Sequence, residues 1–487
     1  MNPRAPTLAA LAACAGCAPE PSHPDGALPA CSVEASLTRV QPASLRVEAT
    51  CQGFAVERLR APAETGSFFS EVQLTESVPL TADGNVWRLP GRSSALRYRY
   101  TVGLEAIAGA YDHFDVAERS GDSLIAPAAS WLLRPEPAPP GTPVRLSVRT
   151  PPHARFVTGL TRREGAHFLR SEQLRVATYG VFGSFATYRT AMESVSDDPA
   201  EIRTVLLDGS IAAGGQRVVA WVERGARAVA GFYGGFPVPR AMLAIVPQRG
   251  RRGVLFGKVL PQSEPAIAVS VGAETRESDL YGDWVLVHEL FHLGFPSFFR
   301  EGRWLDEGLA TYYEPLIRAR AGLATEAEVW SELLREMTSR IAAGGDESLE
   351  AARDFRRVYW GGAALCLIAD VWHRKRSDGA RGLEDGLRAL VRGGGTADRV
   401  WSLDRAIDFI DGALDATILR QLAERHAHRA EPIALADTWD ALGVRIDDGR
   451  LELDPSPERT RLRRSVLFGT ENMRSGYRFE QARISSK

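Results

Sequence analysis

The sequence predicts an α+β multidomain protein, with a β-sandwich ahead of a small mixed sheet and a helical subdomain. Three patterns carry this. Residues 31 to about 210 hold short runs of alternating apolar and polar residues broken by turn formers, the period-2 signature of half-buried strands. Apolar strands and one amphipathic helix follow, between about 213 and 279. From about 279 onward the spacing is mostly helical. At 487 residues the chain has room for two or three domains. The expected divisions are a leader and linker over 1–30, the sandwich over 31–212, a second domain over 213–430 and a mixed segment over 431–487.

The amino terminus comes first. Arg4 supplies a positive start, and Thr7 to Ala13 is a short apolar stretch. Leu11-Ala12-Ala13-Cys14 resembles a bacterial lipobox, which implies export, lipidation at Cys14 (Cys17 is the alternative) and tethering to a membrane surface of the cell envelope, periplasmic or at the outer membrane. Residues 18 to 29 are rich in Pro and small or polar residues and read as a linker. In an oxidising compartment Cys31 and Cys51 are candidates for a disulfide; two separate buried thiols are the alternative. Cys366 lies in an apolar helical stretch and reads as a core thiol.

Strands are expected at Leu45 to Ala49, Ala95 to Val102 and Pro143 to Val148, with turns at Asp83-Gly84-Asn85 and Pro139-Pro140-Gly141. A helix is expected over about 216–234, then strands at 241–246, 254–256 and 266–272. The last of these reads as a cleft-lining edge strand. Helices are expected at 280–293, 305–321, 326–342, 360–376, 383–392 and 413–428. After the amino terminus no apolar run reaches the roughly twenty residues that a membrane span requires.

The chemistry concentrates at His288-Glu289-Leu290-Phe291-His292. Two histidines four residues apart on a helix share a face and can ligate one metal ion, while the adjacent glutamate reaches a neighbouring face, where it can activate a water. Both His interrupt an oily helix, Asp283 to Leu293, and burying two imidazoles and a carboxylate without partners would cost several kcal/mol. A shared Zn²⁺, one per chain, would offset that cost. A catalytic zinc takes three protein ligands. The candidates downstream are Glu301, Asp306, Glu307 and Glu314, beyond a loop marked by Gly294, Pro296 and Gly302. Leu305, Leu309 and Tyr312 share a helical face with Glu307 beside it, and Glu307 is the expected ligand. Asp306 better fits the acidic residue that a helix dipole favours in its first turn.

His288, Glu289, His292 and Glu307, set in Trp304-Leu305-Asp306-Glu307-Gly308, resemble the gluzincin metallopeptidases: most closely the glycyl aminopeptidase family, more distantly the alanyl/leukotriene-hydrolase aminopeptidases. The resemblance covers roughly residues 215–430. It implies a thermolysin-like catalytic domain, a β domain ahead of it, zinc, and a peptide or protein substrate. It also implies an oxyanion-stabilising role for Tyr359, since Tyr359-Trp360-Gly361-Gly362 is similar to the family Tyr-x-Lys-Gly, with Gly361 in place of Lys. The alanyl-type enzymes grip a substrate amino terminus with the Glu of Gly-x-Met-Glu-Asn. The corresponding stretch here, Leu260-Pro261-Gln262-Ser263-Glu264-Pro265, lacks Met and Asn, and Glu264 is the candidate amine anchor.

A net charge of −2, with basic runs that are isolated, gives no reason to expect nucleic acid. Two classes of function stay open. One is an exported zinc peptidase, leaning toward an aminopeptidase by resemblance and toward an endopeptidase by its altered anchor segment. The other is a surface-tethered binding or scaffold lipoprotein whose zinc is non-catalytic. The absence of Cys from the ligand set favours catalysis. His426 and His428 are too closely spaced for a helical ligand pair and read as surface residues.

Overall fold

A computed structural model describes residues 28–75, 78–261, 264–298, 301–342 and 347–474. Cys14 and Cys17 lie outside the described residues.

The amino-terminal part is built from two facing sheets. The larger is nine-stranded and runs Thr161–Arg163, Ala166–Arg170, Pro143–Arg149, Ala30–Val40, Ala43–Arg60, Val86–Val102 and Phe69–Leu74 along its main path. The smaller is four-stranded: Arg155–Thr158, Tyr179–Gly183, Ser123–Pro127 and Glu118–Ser120. Alternation sets their faces. In Ala43–Arg60, Leu45, Val47, Ala49 and Cys51 are buried while Glu48 and Gln52 are exposed. Leu124, Ala126 and Phe182 of the small sheet share one core with Val33, Val47, Tyr98 and Tyr100 of the large one. Cys31 and Cys51 face each other across adjacent strands and are joined by a disulfide.

A third, five-stranded sheet follows in the order Phe185–Met192, Ala200–Leu207, Arg240–Gln248, Ala266–Gly272, Val254–Leu260. The three central strands are parallel and the outer two antiparallel. Phe185–Met192 pairs with Ala200–Leu207, which in turn pairs with Arg240–Gln248, so residues 185–207, expected within the sandwich, lie in one sheet with strands that follow 213. Strand alternation alone could not have assigned them, because a strand's sheet is set by its long-range partner. Met242, Ala244 and Val246 face the small sheet, while Leu243 and Ile245 face the helices. The all-buried character of these strands follows from cover on both faces.

Helix Gly215–Tyr233 packs its Val218, Trp221 and Val222 in the core that also holds Leu286 and Leu290 of helix Val285–Phe291. The expected helix 280–293 is three pieces: Glu277–Tyr281, Val285–Phe291 and the tighter turn His292–Gly294. The break has a cause. The Asp283 carboxylate accepts hydrogen bonds from the Val285 and Leu286 amides at 3.0 Å each and starts a new helix there. Helix Arg303–Arg320 agrees with expectation to within two residues, and Glu326–Ala342 and Leu383–Arg392 match it. The expected helix from 360 begins earlier, at Phe355, behind an Asp354 cap. The expected helix 413–428 is instead Leu403–Ala413, then Ile418–Leu422 running into a π-helical turn, Ala423–His428. Asp415 takes a left-handed backbone, and Asp411 caps the second helix through the Leu419 and Arg420 amides. His426 is buried, its Nδ1 2.8 Å from the Glu431 carbonyl, so the expectation of two surface histidines holds only for His428. Among the described residues no helix is long and apolar enough to cross a membrane.

Candidate metal centre and its cleft

Four elements converge on a cleft of about 640 Å³: the edge strand Val254–Leu260, the helix Val285–Phe291 with its following turn, and the amino-terminal turns of helices Arg303–Arg320 and Phe355–Arg376. The lining strand is therefore Val254–Leu260. The expected one, Ala266–Gly272, lies one strand inward and is buried throughout. Its apolar run is the mark of an interior strand, and that same run had suggested an edge.

His288, His292 and Glu307 each present one ligand atom to the others, all within 4.8 Å. His288 Nε2 lies 3.2 Å from Glu307 Oε2, and His292 Nε2 lies 3.5 Å from the same oxygen. Asp306 Oδ1 is 2.7 Å from His292 Nδ1. A carboxylate on that nitrogen holds the proton there and leaves the Nε2 lone pair facing Glu307, the arrangement metal-ligating imidazoles adopt. The donor set thus fits a divalent ion of the zinc type. The sequence offers Asp306 as a candidate ligand and, better, as the acidic residue a helix dipole favours; its place behind His292 is neither. Its neighbour Glu307 carried the only signal, because consecutive helical residues diverge by about 100° and can serve different sides of one ligand group.

Glu289 lines the same cleft, is buried, and has its carboxyl raised above the usual range, chiefly by that burial. Its neighbour on the strand is Gly257, where a Cβ would stand 2.5 Å from Glu289 Cγ and 2.9 Å from Val285 Cγ1. Only glycine lets the strand approach the helix so closely. The Glu307 carboxyl is opposed by burial, but hydrogen bonds from His288 and His292 hold it well below the usual range.

Tyr359 also reaches the cleft. Its ring lies nearly parallel to His288, centroids 6.0 Å apart, and its hydroxyl is raised by burial and by the Glu307 carboxylate. It sits in the second turn of its helix and not before the helix start. The two helices that carry Glu307 and Tyr359 meet through glycine. A Cβ on Gly362 would fall 1.8 Å from the Trp304 carbonyl oxygen, and one on Gly308 would fall 2.5 Å from the Gly362 carbonyl carbon. Gly361 is also closed to any side chain, by Leu349 at 2.6 Å.

The other candidates lie elsewhere. Glu264 accepts from Arg240 Nε at 2.6 Å, is buried, and is not among the cleft-lining residues, so the structure does not place it as an amine anchor. Glu314 is buried against Arg318, and Glu301 is exposed; neither joins the triad. Sequence reasoning missed Arg303, Phe256, Trp284 and Phe355, which line the cleft.

No protein-family model matches the chain, and a search of curated proteins finds no match. Solved structures do resemble it. An aminopeptidase N family protein from Idiomarina loihiensis superposes with a TM-score of 0.64 at 15% identity, covering 88% of this chain and 82% of that one. An M1 zinc metallopeptidase from Deinococcus radiodurans gives a TM-score of 0.50 at 17% identity, covering 82% and 94%. A two-domain M1 zinc metallopeptidase bound to L-arginine gives 0.51 at 16%, covering 83% and 95%. At these identities the likeness establishes a shared multidomain α+β fold.

Proposed function

We propose that this chain is a zinc metallopeptidase that hydrolyses peptide bonds and is exported to the cell envelope. One observation carries the reading: a His288–His292–Glu307 donor set and a buried Glu289 share one cleft. The fold likeness to zinc metallopeptidases supports it. Zn²⁺ held by His288, His292 and Glu307 would polarise the substrate carbonyl and make water more acidic. Glu289 takes the proton of the attacking water and returns it to the leaving amine; its raised basicity suits both steps. The Tyr359 hydroxyl donates to the oxyanion as charge develops there. Asp306 keeps His292 in its ligating tautomer. The Cys31–Cys51 bridge is consistent with an oxidising compartment and hence with export. Lipidation at Cys14 would add a membrane tether.

The likeness to an aminopeptidase N family protein supports amino-terminal trimming. Internal cleavage is the second reading, favoured because no cleft carboxylate outside Glu289, Asp306 and Glu307 is available to hold a substrate ammonium among the described residues.

The test pairs metal content with cleavage of aminoacyl and internally quenched peptides. Wild type should hold one zinc and cut one of the two panels. His288→Ala should lose zinc and cleavage together. Glu289→Gln should keep its zinc while kcat/KM falls by about 10³-fold or more. Zinc without cleavage of any peptide would favour the scaffold reading, and turnover by Glu289→Gln would sink the mechanism.

A further inference from the structure

Resting on the peptidase reading above, the charges of the cleft can be sorted by what answers them. Glu307 faces both histidines. Asp306 is taken by His292. Glu289 is pressed against the strand at Gly257. Lys258 is held by Asp115 at 3.0 Å. Arg303 differs. It lines the cleft and is exposed, its guanidinium 5.7 Å from the Tyr359 ring centroid and in reach of the Tyr359 hydroxyl, a neutral partner; among the described residues no carboxylate lies within ion-pairing distance of it.

Helix stability does not account for this cation. Arg303 occupies the first position of helix Arg303–Arg320, where the dipole disfavours positive charge. Its surroundings would strengthen a charge contact. Phe256, Trp284 and Phe355 line the same cleft and are exposed by 43%, 51% and 54%, so they form an apolar mouth that an incoming chain would cover.

We propose that Arg303 is a specificity-determining residue that receives a carboxylate of the substrate, close to the scissile bond on the Tyr359 side. The planar guanidinium fork matches a carboxylate and has no use for an ammonium. The carboxylate comes from an acidic side chain or from a free carboxyl terminus; the chemistry is shared, and the test separates the two.

The test uses the full-length, zinc-loaded protein and quenched peptides that carry Glu or its isostere Gln at each position flanking the cleaved bond, with free or amidated carboxyl termini. Wild type should prefer the acid over the amide by about tenfold at one position, the return of one charge-assisted hydrogen bond. The arm that shows the preference identifies the source. In Arg303→Gln the ratio should fall to near one, and in Arg303→Glu it should reverse. A wild-type ratio near one overturns the proposal. So does a ratio that persists in Arg303→Gln while all rates fall together, which would make Arg303 a positioning residue for Tyr359. Calorimetric binding of the same peptides to Glu289→Gln protein reads the ratio without turnover. Acid-selective binding with no cleavage by wild type would defeat the peptidase reading and leave the inference standing. Cleavage with no selectivity would do the reverse.

Discussion

Helices Arg303–Arg320 and Phe355–Arg376 each contribute to two buried charge clusters, and the two clusters are built on opposite plans. Toward their far ends, Tyr312 donates to Asp370 at 2.7 Å, Arg374 reaches the same carboxylate at 3.1 Å, and Arg320 reaches Glu384 at 2.6 Å. Burial opposes ionisation of Glu384, but Arg320 and Arg374 hold its carboxyl down at about 2. Three acids, Asp370, Glu384 and Asp385, face three guanidinium groups, those of Arg320, Arg374 and Arg388. Toward their first turns, Glu307 and Asp306 join His288, His292 and Glu289, and the cleft's arginine stands outside the group. There the acids outnumber the cations inside the protein. A cluster whose charges balance internally holds helices together; one with excess negative charge around two imidazoles is a receptor for a cation.

Unbalancing the closed cluster should do the most damage. Asp370→Ala strands Arg374 in the core and should lower stability by about 3–5 kcal/mol, read as a fall in Tm, while the folded fraction keeps its zinc. Tyr359→Phe leaves the ring on His288 but removes the donor; kcat should fall about 10²-fold with zinc content and KM little changed. Gly362→Ala drives a methyl into the Trp304 carbonyl and should cost about 1–3 kcal/mol, with an added loss of turnover as Tyr359 and Glu307 are pushed apart.

The smallest effect concerns a third type of buried charge, one with no cation beside it. Glu118 of the small sheet pairs with Gln248 of the five-stranded sheet, and burial raises its carboxyl from 4.5 to about 7. A raised carboxyl binds its proton more tightly when folded, so this contribution is present below about 4.5 and is lost as pH rises through 7. Glu118→Gln should therefore gain more stability at pH 8 than at pH 5, by on the order of 1–2 kcal/mol, read as a larger rise in Tm at the higher pH.

What was legible in the sequence follows from range. His288, Glu289 and His292 could be read because four-residue spacing on one helix fixes their relation locally. Helix Leu383–Arg392 shows a clean apolar periodicity between Gly382 and Gly393, and its bounds were readable for that reason. Residues 185–207 read with the strands before them, yet they join the five-stranded sheet, because nothing local says which sheet a strand joins. The edge strand was misplaced by one for a related reason: Val254–Leu260 is half exposed and broken by Gly257 and Lys258, so it lacks the strong apolar run that drew attention to Ala266–Gly272. Arg303 was passed over since a lone arginine is usually solvated. Its meaning depends on Tyr359 and Phe256, distant in sequence.

The small sheet has a consequence for the molecule as a body. Along Ser123–Pro127, Leu124 and Ala126 face one core and Ile125 faces the other, and Phe182 and Val181 divide in the same way on the neighbouring strand. A layer owned by both neighbours leaves no plane along which the chain can be parted. The amino-terminal part is then chassis and not cargo: the floor under Met242 and Ala244 is supplied by residues more than fifty positions earlier in the chain, and a fragment cut free at residue 185 would carry a greasy wound where that floor had been.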